Sequence, residues 1–238
     1  LGPVFAWEDI SSTGFAIWSG GDDASAGPFP MSFDFPFYGA DHNEFRVCSN
    51  GFISLTSSST AYGNQMLPNP GAPAHLIAPF WDDLVVGSGT VYYHYDGSRF
   101  IIQYENVPRY GSGGPYTFQA ILYPNGTIIY QYLDMQGDRL DEATIGIQNG
   151  AKDDGLMMAY NTDYVHEDMA ILISSAPSWL SVGTESGVLP AGECVEIDVI
   201  MDASELEEGD YNGTLTLTSN TLNTTSTSAV SKPLGVKK

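Results

Sequence analysis

Two apolar, aromatic runs are each followed by an Asx-Gly step and a second run of the same kind, and this constrains the chain more than any other feature. Val91-Tyr92-Tyr93-His94-Tyr95 leads through Asp96-Gly97 into Phe100-Ile101-Ile102-Gln103-Tyr104, and Phe118 to Tyr123 leads through Asn125-Gly126 into Ile128 to Leu133. Asn or Asp followed by Gly accepts the positive φ angles of a type I′ turn, so both stretches are predicted β-hairpins. Shorter runs surround them at Phe15 to Trp18, Met31 to Phe35, Phe45 to Val47, Phe52 to Leu55, Thr144 to Gln148, Leu156 to Tyr160 and Met169 to Ile173. Their apolar residues alternate with polar ones, or run unbroken for a few positions, as strands require. A composition with 12% aromatics, 26 glycines and 14 prolines supplies many short strands and tight turns. The predicted fold class is all-β: a large β-sandwich followed by a small Ig-like β-sandwich.

The boundary is predicted at Ser174-Ser175-Ala176-Pro177, where the texture changes. Residues 1–175 form the first predicted domain, with 1–28 as an extended N-terminal segment. Residues 176–238 form the second, with strands at Trp179 to Val182, Cys194 to Met201, Tyr211 to Ser219 and Ala229 to Val236. That spacing suits a small immunoglobulin-like sandwich, and Pro233 restricts its last strand to an edge. Within the first domain, residues 56–75 read as a long polar loop, functional or mobile.

The chain carries 29 acids against 8 basic residues, a formal charge of -21. Nucleic acid and anionic membrane surfaces repel such a body, so neither is an expected partner. No stretch offers the roughly 18 unbroken apolar residues of a membrane span, so membrane insertion is not expected. A start at Leu1 without an initiator Met is what a removed leader or excision from a longer chain leaves. Cys48 and Cys194 fall in different predicted domains and read as two small buried hydrophobes, with an interdomain or interchain bridge as the alternative.

The candidate chemistry centres on Leu76-Ile77-Ala78-Pro79-Phe80-Trp81-Asp82-Asp83-Leu84, where two aspartates follow the largest aromatic of a buried strand. Such carboxylates must reach water, a hydrogen-bond donor or a cation. Asp82 and Asp83 are therefore candidate metal ligands, with calcium as the cation, or else acids that tie down a neighbouring loop by accepting backbone N–H bonds. Adjacent strand residues point to opposite faces, so the two are not expected to act as a glycosidase acid and base over one bond. Asp22-Asp23, Asp153-Asp154 and the group Asp163, His166, Glu167, Asp168 are looser acidic clusters. The four histidines, His42, His75, His94 and His166, show no zinc spacing, and Gly111-Ser112-Gly113-Gly114 lacks the strand and helix of a nucleophile elbow. The chain is therefore expected not to be an enzyme.

Alternation places Tyr93 and Tyr95 on one face, and likewise Tyr130 and Tyr132. These four are either cross-strand packing in a sandwich or an exposed platform for sugar rings or a protein partner. Asn125, Asn212 and Asn223 head glycosylation sequons.

Several phrases together resemble a module of large secreted bacterial proteins, including subtilisin-type peptidases with sorting domains. They are Gly2 to Ile10, Phe33 to Gly39, Ser49-Asn50-Gly51-Phe52, Ala78 to Leu84, Tyr116 to Gln119 and Ala143 to Asn149. The core from Phe33 to Ile173 is similar to nidogen-like extracellular domains, in which the Ala-Pro-Phe-Trp-Asp pattern recurs. From Trp179 the chain resembles Ig-like repeats of the ASPM/SPD-2/Hydin or BACON type, through Trp179 to Val182, Gly187 to Glu193 and Gly209 to Asn220. Cys194 departs from that pattern, which carries an ordinary aliphatic or polar residue there. Both resemblances imply noncatalytic extracellular modules for adhesion, spacing or accessory binding. The expected function is that of a secreted or cell-surface, filament-forming or adhesive subunit, acting through protein partners or self-association at edge strands. A glycan-binding or spacer module of a larger secreted peptidase or hydrolase is the alternative.

Overall fold

The computed structural model describes residues 3–18, 20–174, 180–183 and 196–202, together with the backbone of 209–217 and 226–234. The chain divides into two compact units, Gly2–Ser174 and Ser175–Lys238. In the first, the alternating runs become twelve strands: β1 (Phe15–Trp18), β2 (Ser25–Phe37), β3 (Ala40–Cys48), β4 (Phe52–Ser54), β5 (Leu76–Trp81), β6 (Thr90–Tyr95), β7 (Phe100–Val107), β8 (Tyr116–Leu122), β9 (Ile128–Asp134), β10 (Thr144–Gln148), β11 (Gly155–Tyr160) and β12 (Met169–Ile173). They form two antiparallel sheets, ordered β1-β6-β7-β8-β9-β12 and β11-β10-β5-β4-β3-β2. The inner faces meet in one aromatic core that includes Phe35, Phe45, Phe80, Tyr104, Phe118, Tyr130 and Tyr132. Among the described residues no helix is long and apolar enough to cross a membrane.

Both predicted hairpins form, β6 with β7 and β8 with β9. Neither closes through the expected type I′ turn, because only the glycine of each step has positive φ (Gly97 99°, Gly126 82°). In the first, the Asp96 carboxylate accepts the N–H groups of Ser98 at 2.8 Å and Arg99 at 3.0 Å, making a four-residue loop around an Asx-turn. In the second, Pro124 holds its own φ negative; Gly126 N–H then donates to Tyr123 O at 3.0 Å and Tyr123 N–H to Thr127 O at 2.9 Å. Within the predicted segment 1–28 the expected strand Phe15 to Trp18 forms as β1, paired with β6, and β2 begins at Ser25, before the expected Met31.

Every residue of β5 and of β8 is buried, which a sheet with one wet face does not give. Each sheet is roofed on its outer side. Residues 56–75 lie over β5, closing a second cluster of Cys48, Phe52, Leu67, Ala72, Leu76, Ala78 and Trp81. This loop is pinned by Trp81 Nε1–H to Ala61 O at 2.8 Å, Ser54 Oγ–H to Ala74 O at 2.7 Å and Gln148 Nε2–H to Pro73 O at 3.2 Å. The N-terminal residues cross β7, β8 and β9, with Ile10 seated on Ile101 and Ile121.

The Ala-Pro-Phe-Trp phrase now has a geometric cause. Ala78 faces Gly146 and Trp81 faces Thr144, so β5 spends three steps where β10 spends two. Pro79 sits in that bulge, one of the few places a sheet interior tolerates a proline. The bulge shifts the alternation, so Phe80 joins the main core while Trp81 joins the outer cluster.

Three tyrosine hydroxyls cross the interior from one sheet to the backbone of the other. Tyr104 donates toward Cys48 O at 2.7 Å and Phe52 O at 3.0 Å, Tyr130 to Gly146 O at 2.9 Å, and Tyr132 to Pro79 O at 2.7 Å. Tyr130 and Tyr132 are 0% exposed, so they present no platform for a ligand. Tyr93 and Tyr95 are half-buried on the same inner side, against Phe29, Phe45, Phe100 and Phe33. The face these four tyrosines share is the inside of the sandwich, and the packing alternative is the one realised.

In the second unit, β13 (Leu180–Val182) pairs with β14 (Val199–Met201), and β15 (Gly209–Leu217) pairs with β16 (Ser226–Leu234), both antiparallel. Trp179, Cys194, Asn223 and the predicted strand end at 235–236 lie outside the described residues, as does the side chain of Asn212. Cys48 is a buried free thiol, pushed up to about 12 by its burial.

Candidate functional site

β5 ends at Trp81, and the chain folds back at once, Leu84 N–H donating to Asp82 O at 2.9 Å. The bend rests on the turn Ser49-Asn50-Gly51. Phe80 N–H donates to Gly51 O and Asp82 N–H to Asn50 O, both at 3.3 Å. Gly51 has φ +75°, and a Cβ there would overlap the carbonyl of Phe80, so this approach needs glycine on both counts. The fully buried Asn50 side chain joins three segments: its Oδ1 accepts Leu84 N–H at 3.0 Å, and its Nδ2 donates to Asp23 Oδ1 at 2.8 Å and Thr60 O at 3.2 Å.

Beyond the strand end, Asp82 and Asp83 are not held to opposite faces as expected. Both line an open cleft of about 410 Å³ with Tyr62, Gly63, Asn64, Arg109, Glu142 and Asn161. Their environments still differ. Asp82 is buried; its Oδ1 accepts Asp83 N–H at 2.7 Å and its Oδ2 accepts Arg109 Nε–H at 2.8 Å. The Arg109 guanidinium continues to Glu142 Oε2 at 2.6 Å and to Tyr110 O at 3.2 Å, and Glu142 Oε1 meets Arg139 at 2.5 Å. Burial raises the Asp82 carboxyl above the usual range, opposed by the Asp83 N–H and by Arg109.

Asp83 turns to a different neighbourhood. Its carboxylate lies with those of Asp22 and Asp23, one ligand oxygen of each within 4.8 Å of the others. Burial first, then the charges of Asp23 and Asp22, raise its carboxyl above the ordinary value. Of the two predicted metal ligands, Asp83 is the one grouped with further carboxylates, those of Asp22 and Asp23. Asp82 instead serves the alternative role, tying a turn to an arginine.

The remaining acidic groups are scattered. Asp153 accepts from Asn149 Nδ2 at 2.8 Å in its own loop, and Asp163, His166, Glu167 and Asp168 are exposed. None of the four histidines lines the cleft. His42 and His75 meet elsewhere with ring centroids 4.6 Å apart, both held below the usual imidazole value by burial. Asn125 is exposed in its hairpin turn, its Oδ1 accepting Thr127 N–H at 3.1 Å.

Chemically, the cleft offers a saturated ion chain and amides already engaged, Asn64 Nδ2 donating to Asn161 Oδ1 at 2.8 Å and to Thr144 Oγ1 at 3.0 Å. It is an arrangement for holding loops. Sequence reasoning missed Arg109 and Glu142, whose only signal is the scarcity of basic residues, 8 in the chain, each of which must satisfy some of 29 acids. It also missed the structural weight of Asn50, which lay inside a plain turn signal.

A family model described as NIDO related matches residues 5–177. No solved structure matches the chain.

Proposed function

This chain belongs to the NIDO-related family, and from that premise we propose that it is a noncatalytic extracellular module acting through protein–protein contacts, as an adhesive or assembly-forming subunit at a cell surface. The observation that carries the reading is at the sheet ends. The end strands carry large exposed apolar side chains: Phe15 on β1, Leu172 on β12 at 48% exposure, and Leu156 on β11 at 50%. An end strand offers unpaired backbone groups to another chain, and apolar side chains along it favour a protein over water. The cleft supports the noncatalytic part of the reading, because its acids Asp82 and Glu142 are engaged by arginines. In this proposal residues 176–238 form an Ig-like sandwich that spaces or extends the first domain.

Sedimentation at high protein concentration should show association of the intact chain. The pair of changes Leu156→Lys and Leu172→Lys should abolish it without lowering the melting temperature. An intact chain that stays monomeric with and without calcium overturns the reading. In the calcium arm, a rise in melting temperature lost in Asp83→Asn assigns a cation to Asp22, Asp23 and Asp83, since a ligand of the native state stabilises it. No shift removes the metal.

The exposed Tyr62, at 57%, beside Asn64 and Asn161 in the cleft favours a second reading, an accessory carbohydrate-binding module of a larger secreted peptidase or hydrolase. A glycan array should then show binding that Tyr62→Ala removes; a blank array rejects it.

A further inference from the structure

Three glutamines stand in one row on the outer face of the first sheet. Gln103 on β7 faces Gln119 on β8, and Gln119 faces Gln131 on β9. All three are buried, at 1%, 0% and 1% exposure, because the N-terminal strap crosses them. Strap and sheet share no backbone ladder there; the amides take its place. Ala6 is held at both ends, its N–H donating to Gln131 Oε1 at 2.7 Å and its carbonyl accepting Gln131 Nε2–H at 2.9 Å. Glu8 O accepts Gln119 Nε2–H at 2.5 Å, and Ile10 N–H donates to Gln103 Oε1 at 3.1 Å. The strap therefore advances two residues per strand, through Ala6, Glu8 and Ile10.

This row reads main chain. Side-chain selectivity comes from Ile10 between Ile101 and Ile121, from the ion pair of Glu8 with Arg99 and from Asp9, whose Oδ1 accepts Gln103 Nε2–H at 3.1 Å. One rung is incomplete: Gln119 Oε1 is buried with no hydrogen-bond partner, although its Nε2 serves both Glu8 O and Gln103 Oε1. A buried acceptor without a donor is costly, so the strap of the same chain satisfies the row less than fully. The hinge behind it is small, a turn at Ser11 to Gly14 closed by Thr13 N–H and Gly14 N–H on Ile10 O at 3.2 and 2.7 Å.

We propose that the Gln103–Gln119–Gln131 row is a peptide-binding site that reads extended main chain, and that the strap of a second copy, residues 5–10, is its partner in trans. An identical segment restores every contact made in cis, so exchange changes only the hinge and the local concentration of straps. The charge of -21 sets copies against one another, so exchange is favoured by added salt, which screens that repulsion. The inference rests on the protein-contact reading above and names a site for it away from the sheet ends.

The test uses the full chain with its own strap released. Ile10→Asp unseats the strap from Ile101 and Ile121; Ala6→Pro removes the N–H that Gln131 accepts and serves if the first variant does not fold. A fluorescent peptide of residues 3–14 should bind the released chain at least about tenfold more tightly than the unaltered chain, whose own strap competes at an effective concentration in the millimolar range. Adding Gln119→Leu and Gln131→Leu to the released chain should abolish that binding. Mixing released and unaltered chains should give a mixed dimer by native mass spectrometry, increasing with salt. Failure of both folded released variants to bind the peptide overturns the site. Peptide binding with no mixed dimer overturns the second copy as its occupant. Loss of association in the lysine variants at Leu156 and Leu172 leaves both measurements unaffected, so the two ideas fail separately.

Discussion

Replacing Arg109 with Met is expected to lower stability by about 3 kcal/mol, because it leaves the buried Asp82 carboxylate without its counter-ion. The figure lies at the low end for broken buried pairs, since the Arg109 side chain is 20% exposed while that of Asp82 is 4%. For a domain of this size it corresponds to a fall in melting temperature of about 6–12 °C. The same change frees Glu142 from one of its two arginines. The sign of the pH dependence follows from Asp82, already raised by burial with Arg109 in place. Without the arginine its folded value rises further, so the native state holds a proton that the unfolded chain releases. The penalty is then fully present above the folded value and shrinks as pH falls toward the unfolded value of 3.8. Asp82→Asn on top of Arg109→Met should restore most of the stability at neutral pH and flatten that dependence. A loss below about 1 kcal/mol by denaturant titration, the range of exposed pairs, would show that this ion pair is a surface one in solution.

Trp81→Ala is expected to cost about 3–5 kcal/mol, the range for removing a fully buried large aromatic. Trp81 is 0% exposed at the centre of the outer cluster, edge-on to Phe52 at a centroid distance of 5.6 Å. Its effect on the cleft is separable from its effect on the core. Trp81→Phe keeps much of the packing but loses the Nε1–H bond to Ala61 O, the anchor one residue before Tyr62. That variant should lose about 1–2 kcal/mol, as for a buried hydrogen bond with one partner removed. Limited proteolysis should nevertheless cut it between residues 57 and 66 much faster than the unaltered chain. Equal cleavage rates would mean that the loop's other anchors hold it without the indole, among them Asn50 Nδ2–H on Thr60 O, Thr144 Oγ1–H on Gln65 O and Asn69 N–H on Gln148 Oε1.

The strands were legible because alternation and short apolar runs report burial directly. Phe118 to Tyr123 and Ile128 to Leu133 could not be read otherwise. What escaped was whatever a distant segment decides. The inside and outside of the tyrosine-rich sheet look alike in sequence when both are covered, so Tyr130 and Tyr132 could be assigned to a shared face but not to the interior. The turn at Asn125-Gly126 was misjudged because Pro124, with its fixed negative φ, takes the first central position of a turn one residue earlier, closed by Gly126 N–H on Tyr123 O. At the candidate site, strand period was applied one residue too far: β5 stops at Trp81, and Asp82 and Asp83 obey a bend imposed by Asn50 and Gly51. Arg109 lies 27 positions from Asp82, and Gln131 lies 125 from Ala6; no local pattern announces pairings over such separations.

The hydroxyls of Tyr104, Tyr130 and Tyr132 have a mechanical meaning. Apolar contact between two leaves resists separation but allows them to slide, because dispersion is indifferent to direction. A bond from a rigid ring on one leaf to a fixed backbone oxygen on the other breaks when the leaves shift by even a fraction of an ångström beyond hydrogen-bond range. Rivets of this kind, at Cys48, Phe52, Pro79 and Gly146, join the strands of one leaf to the middle of the other. Tension entering at a sheet end is therefore shared across both leaves as shear on directional bonds, and the first domain should yield as one body rather than strand by strand.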